Sequence, residues 1–255
     1  MELQLQNKHV VITGGTKGIG LAIANAFLKE GSYVHVISRS NDLNGFKSIE
    51  EEEYYSRLFS YQCDVTNEND LLEVSNEICK NSVNSIDILI SNVGTGKSLP
   101  KPINDSEVWN QSWDLNFTSA LNTARVFSPF INPNGGSIIF ISSIAGMEYL
   151  GAPTEYGVAK SALIAFAKSL SHKLAPAIRV NTVAPGNIYF SGGTWDVKLK
   201  EDAEKVNAML NTKVPLKRLG TPEEVAVLIL FLSSNHASFI TGGCFVIDGG
   251  QTTTF

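Results

Sequence analysis

Short β-branched runs alternate with longer stretches of helical period along the whole chain. His9–Thr13 and Tyr33–Ser38 read as strands, and between them Gly18–Glu30 sets Leu21, Ala24 and Leu28 on one helix face. Leu58–Cys63 reads as a strand and Glu68–Lys80 as a helix. Ile86–Ser91 is almost unbroken apolar sequence, the pattern of a strand covered on both faces. Ser106–Phe130 reads as one long helix, Ser137–Ser142 as a strand, Thr154–Leu174 as a helix and Ile178–Val183 as a strand. Thr221–Ser234 follows as a helix with Pro222 in its first turn, where its missing N–H is not needed. Cys244–Ile247 is a last strand before Asp248-Gly249-Gly250. Such alternation builds βαβ units, so an α/β fold is expected, a parallel sheet with helices on both faces. Two stretches break the rhythm. Ser40–Tyr55 carries the acidic run Glu50–Glu53, read as a solvated helix face. Asn187–Thr212, rich in glycine, tryptophan and mixed charge, is longer than an ordinary connection.

Composition narrows the function classes. Of 255 residues, 43% are hydrophobic and 18% charged, which excludes a disordered chain. A net charge of −5 with no basic run argues against nucleic acid or an anionic membrane as partner. No apolar stretch approaches the roughly 20 residues of a membrane span. The first apolar run, Val10-Val11-Ile12, flows into a glycine-rich turn rather than a leader's cleavage site. The three cysteines, Cys63, Cys79 and Cys244, are odd in number and far apart. That excludes a disulfide framework or a CxxC metal knuckle and points to a reducing, cytoplasmic setting with no metal.

Two motifs carry candidate chemistry. Thr13-Gly14-Gly15-Thr16-Lys17-Gly18-Ile19-Gly20 lies where a strand gives way to a helix. Glycines there allow a tight turn and close approach of a pyrophosphate, and the helix N-terminus offers free N–H groups. A purely structural turn is the other reading. In Tyr156-Gly157-Val158-Ala159-Lys160, helical spacing puts a phenol beside an ammonium. A phenol of pKa near 10 shuttles protons poorly at pH 7, and a neighbouring cation favours its ionised form. The other reading is a surface pair. Ser142 and Ser143 end the preceding strand, at the sheet edge where α/β proteins bind ligands. No histidine falls in a motif.

Taken together, these motifs resemble the short-chain dehydrogenase/reductase family in its compact form, over essentially the whole chain. The resemblance extends to Asp64-Val65, Ser91-Asn92-Val93-Gly94, Asn116 in Asp114-Leu115-Asn116-Phe117, Arg179-Val180-Asn181, Pro185-Gly186 and Thr241-Gly242…Asp248-Gly249-Gly250. It implies a single Rossmann-type, doubly wound domain over residues 1–255 with a seven-stranded parallel sheet. It implies Tyr156 as general acid/base and Ser143 as the group that orients and polarises a carbonyl. Lys160 would hold the nicotinamide ribose and lower the tyrosine pKa, and Asn116 would anchor a water that links Lys160 to solvent. The cofactor would lie along Gly14, Thr16, Lys17, Gly18, Ile19, Gly20, Ser38, Arg39, Asp64, Val65, Asn92, Gly94, Tyr156, Lys160, Pro185, Gly186 and Ile188. Ser143, Tyr149, Tyr156 and Trp195 would meet the substrate, under a lid at 187–212. Homotetramers, or dimers, through Ser106–Phe130 and Thr154–Leu174 are the family's habit. Structural alternatives stand beside several roles: Asn116 as the brace of a mid-helix irregularity, Asp64 as a turn or cap, Asn92 as a tie between strands, Ser142 as a structural serine.

Departures from the family pattern sharpen the picture. Val93 adds bulk near the adenosine ribose, and Phe190 stands where the family commonly has a threonine. Enzymes preferring NAD(H) usually carry an acid at the end of the second strand. Here that position is Ser38, followed by Arg39, which can pair with a 2′-phosphate; Lys17 can add a second cation. NADP(H) is therefore expected over NAD(H), with Arg39 as a merely solvated arginine the other reading. The expected reaction is reduction of a ketone, or oxidation of a secondary alcohol, on a free small molecule such as a keto sugar. The rivals are a fatty-acid-type 3-oxoacyl-carrier-protein reductase and a non-catalytic NADP(H)-sensing regulator. Reductases of that type place arginines before the serine strand and after the Tyr/Lys helix. The corresponding stretches here, Asn132–Ser137 and Leu174–Ile178, hold none, which is expected to leave the pocket mouth without a carrier dock, although His172 and Lys173 lie close by.

Overall fold

The computed structural model of the protein describes residues 2–40, 42–46, 52–81, 85–97 and 101–254. Its strands are β1 (His9–Thr13), β2 (Tyr33–Ser38), β3 (Leu58–Gln62), β4 (Ile88–Ser91), β5 (Gly136–Ile141), β6 (Ile178–Pro185) and β7 (Cys244–Ile247). The helices are α1 (Gly18–Lys29), α2 (Glu52–Tyr55), α3 (Glu68–Asn81), α4 (Ser106–Trp113), α5 (Ser119–Phe127), α6 (Thr154–Leu174), α7 (Thr194–Glu201), α8 (Ala203–Lys213) and α9 (Pro222–Ser233). The strands form one seven-stranded sheet in the order β3-β2-β1-β4-β5-β6-β7, with every pairing parallel. The direction of winding reverses between β1 and β4, and open α/β sheets bind ligands in that crevice, beyond the carboxyl ends of their strands.

Successive strand side chains point to opposite faces, and this divides the core in two. Val10 and Ile12, Ile88 and Ile90, and Ile139 and Ile141 turn toward Ile23, Phe27 and Leu28 of α1 and Val225 and Ile229 of α9. Val11, Leu89, Ile138 and Phe140 turn the other way, onto α3, α5 and α6 through Leu71, Ile78, Ala124, Phe127 and Leu163. Each fully buried Leu, Ile or Phe contributes about 1.5–3 kcal/mol. Arg179 and Asn181 fasten the last strand. The Arg179 guanidinium donates to the carbonyls of Leu232 (2.7 Å) and Ser234 (3.2 Å), closing the carboxyl end of α9. Asn181 donates to the Ile240 carbonyl (2.9 Å) and accepts from the Gly243 N–H (3.0 Å).

Three readings change. The helix expected over Ser106–Phe130 is continuous in path but not in hydrogen bonding. Between α4 and α5 lies a π-helical turn, Asp114–Thr118, where the Ser119 N–H reaches the Asp114 carbonyl, and a 3-10 turn over Ser128–Phe130 ends the run. Ile86 bridges Ile131 outside β4. The long stretch Asn187–Thr212 holds α7 and most of α8, which carry a small core of Val206, Leu210 and Val214 with Trp195 and Leu199 against it. The reading of Glu50–Glu53 as a solvated face lies outside the described residues. Among those residues no helix is long and apolar enough to cross a membrane, and no cluster of three or more His, Cys, Asp or Glu could hold a metal ion.

One polar chain crosses β1, β2 and β3. His9 Nδ1 and His35 Nε2 lie 3.3 Å apart, as do His35 Nδ1 and the Tyr61 hydroxyl. His35 also stacks on Phe59, and His9 on Tyr33. His35 is fully buried; burial first, and the His9 charge second, push its pKa from 6.5 down to about 4. Asp87, which accepts from Lys8 (2.9 Å) and from the His9 N–H (3.0 Å), opposes the downward effect of burial at His9. A histidine held neutral in the fold binds its proton only on unfolding. Its stabilisation is therefore complete above pH 6.5 and is lost as pH falls toward 4, a loss of about 3 kcal/mol. Urea unfolding between pH 8 and pH 4.5 is expected to show this loss, and His35→Phe, which keeps the stacked ring, to remove more than half of it. An unchanged pH slope in His35→Phe would contradict the assignment.

Candidate active site

The turn after β1 is shaped for close approach. Gly14 (φ 68°) and Gly18 (φ 54°) adopt left-handed conformations that L side chains rarely take. A Cβ on Gly20 would lie 2.1 Å from the Gly14 carbonyl oxygen, so the first turn of α1 rides directly on the loop. Asn92, just past β4, donates from Nδ2 to the carbonyls of Thr13 (3.2 Å) and Gly14 (3.1 Å). Its side chain thus ties β4 to β1. Lys17, at the N-cap of α1, makes no side-chain capping bond, which leaves the positive end of the helix free to meet an anion. Thr16 is buried and Ile19 half-buried.

At the end of β2 the Ser38 hydroxyl donates to the Ser40 carbonyl (2.7 Å), and Arg39 is exposed. None of the ion pairs among the described residues uses Arg39 or Lys17. Asp64 builds a turn, its Oδ1 accepting from the Thr66 N–H (3.0 Å) and hydroxyl (2.8 Å). Val65 is buried, and the carbonyls of Val65 and Thr66 receive Asn122 Nδ2.

Beyond β5 the hydroxyls and the lysine converge. Ser142 donates to the Lys160 carbonyl (2.8 Å) and braces α6. Ser143 accepts from the Ala145 N–H (3.2 Å). Burial raises the Tyr156 hydroxyl above its ordinary pKa, and the nearby Ser143 hydroxyl opposes the rise. Lys160, only 3% exposed, donates from Nζ to the Ile141 carbonyl (2.9 Å) and lies 6.0 Å from the centre of the Tyr156 ring. Burial draws its ammonium down to about 8. The expectation that Lys160 lowers the tyrosine is therefore corrected for the protein in this state: the ammonium is aimed at a backbone carbonyl, and burial of the phenol dominates.

Asn116 sits in the π-turn, fully buried. Its Oδ1 accepts from the Thr95 N–H (2.9 Å), and its Nδ2 donates to the carbonyls of Thr95 (3.0 Å) and Ser112 (2.8 Å). It clamps the strand-exit loop to the helix irregularity, as the bracing alternative foresaw. A Cβ on Gly94 would lie 2.8 Å from both Asn116 Oδ1 and Lys160 Nζ, so the loop backbone threads between them. Gly96, absent from the expected set, faces the Tyr156 ring: a Cβ there would meet it at 3.7 Å.

After β6, the Gly186 N–H bonds the Ile247 carbonyl (2.9 Å), Ile188 is buried, and Asn187 and Tyr189 ladder onto Gly220. Asp196 accepts from the Gly192 N–H (2.8 Å), Lys200 Nζ (2.8 Å) and the Tyr189 hydroxyl (3.3 Å). These bonds, the Lys200 contact first, hold its carboxyl below the usual range. Trp195 packs into the α7–α8 core, with Lys198 Nζ 4.5 Å above its ring. Tyr149 is 92% exposed, beside a cavity of about 290 Å³ whose lining includes Met147, Leu150 and Val158. Sequence reasoning also missed the chain end. Gln251 accepts from Asn187 Nδ2 (2.7 Å), and Glu148 Oε1 accepts from the Thr253 N–H (2.7 Å) and from Thr254. The tail thus straps the exit of β6 to the loop after β5.

The structure relocates the two neutral stretches. Asn132–Ser137 and Leu174–Ile178 meet at the amino ends of β5 and β6, where the Gly135 N–H bonds the Ala177 carbonyl (3.3 Å). A six-residue strand spans about 20 Å, so both lie on the edge opposite Ser143. Their neutrality does not describe the pocket mouth of this chain, and that expectation is withdrawn.

A family model described as enoyl-(acyl carrier protein) reductase matches residues 14–252. Isoepoxydon dehydrogenase patN of Penicillium expansum is 33% identical over 252 residues, covering 96% of this chain and 95% of its own. The 3-oxoacyl-(acyl-carrier-protein) reductase FabG of Chlamydia muridarum is 34% identical over 254 residues, covering 98% and 100%. The crystal structure of L-sorbose reductase from Gluconobacter frateurii, complexed with NADPH and L-sorbose, covers 100% of both chains at 30% identity with a TM-score of 0.87. The parallel sheet, the glycine turn beside its crevice and these full-length likenesses lead to one conclusion: the chain belongs to the short-chain dehydrogenase/reductase family of oxidoreductases.

Proposed function

We propose that this chain reduces a ketone of a free small molecule with NADP(H), or oxidises the matching secondary alcohol, using Tyr156 as general acid/base. The observation that carries the reading is the meeting of the Tyr156 phenol, the Ser143 hydroxyl and the Lys160 ammonium beyond the carboxyl end of β5. A nicotinamide bound there would supply the hydride for the carbonyl carbon, or accept it from the alcohol. Ser143 donates a hydrogen bond to the substrate oxygen and stabilises the charge that develops there. Tyr156 gives that oxygen its proton. A phenol raised by burial holds its proton at pH 7, which suits reduction. Once the phenolate forms, the nearby Lys160 charge offsets it, with the Ile141 carbonyl and the Gly94 backbone positioning the lysine. Tyr156→Phe should lower kcat by 10²-fold or more, the scale of general acid–base catalysis, with fold and NADPH binding retained. Lys160→Ala should weaken both binding and turnover. A Tyr156→Phe protein with a third of wild-type kcat would end this assignment.

The residues present fit a phosphorylated dinucleotide. The uncapped N-terminus of α1 suits a diphosphate, and exposed Lys17 and Arg39, outside the ion pairs above, suit a 2′-phosphate. Gly14, Thr16, Gly18, Ile19, Gly20, Ser38, Asp64, Val65, Asn92, Gly94, Pro185, Gly186 and Ile188 line the proposed path. Ser38→Asp with Arg39→Ile should move the preference toward NADH. Equal kcat/KM for NADH and NADPH in the wild type would overturn the NADP(H) reading.

For the substrate, likeness to a reductase solved with L-sorbose supports a keto sugar or similar polar ketone, held by Ser143, Tyr149, Trp195 and a lid at 187–212. A carrier-bound 3-oxoacyl group is the second reading, favoured by the 34% identity to FabG. Steady-state rates on ketoses, acetoacetyl carrier protein and a minimal acetoacetyl thioester separate them. The free-ketone reading expects the ketoses to win. A hundredfold preference for the carrier-bound group, erased by added salt, would restore the fatty-acid reading. We further assign the protein to the cytoplasm, as a single-domain chain that forms homotetramers through the α4–α5 run and α6.

A further inference from the structure

The segment leaving β6 crosses the sheet. Phe190 follows that strand, yet its ring rests against Gly18, in the turn that leaves β1. In the sheet order β4 and β5 lie between β1 and β6. At about 4.8 Å per strand, the contact reaches across roughly 14 Å of carboxyl edge. It therefore closes over the crevice between β1 and β4.

The ring is wedged on two sides. A Cβ on Gly18 would meet Phe190 Cε2 and Cζ at 2.8 Å, and a Cβ on Gly193 would meet Cζ at 2.8 Å. Two glycines, one in the phosphate-facing turn and one at the N-cap of α7, make the space the ring fills. The corner that carries the ring is stiff. The Gly193 N–H bonds the Phe190 carbonyl (3.0 Å), and Asp196 gathers Gly192, Tyr189 and Lys200 around one carboxylate. The ring, its corner and α7 are thus joined as one piece, touching the glycine turn at Gly18.

We propose that Phe190 is the gate of the dinucleotide site: its ring couples helix α7 to Gly18, so a dinucleotide diphosphate reaches or leaves the turn only when ring and helix swing away together. The proposal rests on the NADP(H) reading above. A threonine at this position would offer a hydroxyl and leave the turn open; the phenyl ring offers no hydrogen bond and covers it. The ring closes as well over the filled site as over the empty one, so the gate sets rates and leaves affinity nearly unchanged.

Stopped-flow binding of NADPH to the full chain, followed by nicotinamide fluorescence, tests this. In the wild type the observed binding rate should level off as NADPH is raised, because opening limits it. In Phe190→Ala the rate should rise linearly with NADPH, with association and dissociation both at least tenfold faster and Kd changed less than threefold. Asp196→Asn, which keeps the ring but loosens the corner, should move partway. A wild-type rate already linear in NADPH, or association in Phe190→Ala within twofold of wild type, would overturn the gate. A higher Kd with unchanged association would mark an ordinary lost contact and overturn it too. If the wild type binds NADH and not NADPH, the cofactor reading fails, and the same measurements with NADH still decide the gate.

Discussion

A protonated ammonium taken out of water costs several kcal/mol unless polar groups replace the solvent. The carboxyl edge of this sheet is built around that constraint at Lys160. Its Nζ is held by the Ile141 carbonyl, and the backbone at Gly94 passes close enough that a single added carbon would strike both Nζ and Asn116 Oδ1. Asn116 can stand there because the helix carrying it opens into a π-turn, and because both ends of its amide are satisfied by Thr95. Ser142 fixes α6 from below through the Lys160 carbonyl. A conventional α-helical turn at Asp114–Thr118 would rotate the asparagine away from the loop, since each residue added or removed turns the helix by about 100°.

The same edge shows how two distant parts of the chain are made to share one crevice. Asn92 spends its amide on the carbonyls of Thr13 and Gly14, so the exits of β1 and β4 are held together rather than left as independent loops. With that tie in place the first N–H groups of α1 point into a fixed space. The opposite wall is assembled from β6, β7 and the chain end, where Gln251 reaches Asn187 and Glu148 collects Thr253 and Thr254. One wall is backbone and glycine, suited to phosphate. The other is side chain and helix, free to vary with the substrate.

What could be read from the chain follows from the range of the interactions involved. Strands were visible because alternation within a few residues decides which face is buried: Val10, Val11 and Ile12 announce two cores on their own. Tyr156 and Lys160 were visible because one helical turn brings them together. The π-turn was visible only as an alternative role for Asn116, since nothing in the local run of residues fixes where a helix takes in its extra residue. Nor was the tail strap, because Glu148 and Thr253 are single polar residues far apart in sequence. The misplaced neutral stretches have a geometric cause: Gly136 is close to Ser143 in sequence, but a strand between them carries it to the far edge of the sheet.

The electrostatics of Tyr156 tie these parts together. In the fold as it stands, burial holds the phenol above its ordinary range and draws the lysine down to about 8. Both shifts disfavour charge, and they do so for the same reason, burial. Burial of this kind is useful only if charge appears in pairs. In the mechanism proposed above, a phenolate on Tyr156 would gain from the Lys160 charge, because the same low dielectric that penalises a lone charge strengthens an opposite pair. The lysine that would meet such a phenolate is held by the Ile141 carbonyl, not by the phenol itself. The Ile141 carbonyl that accepts from Nζ and the Gly94 backbone packed beside it thus decide how near that charge can come to the phenol, without touching the substrate.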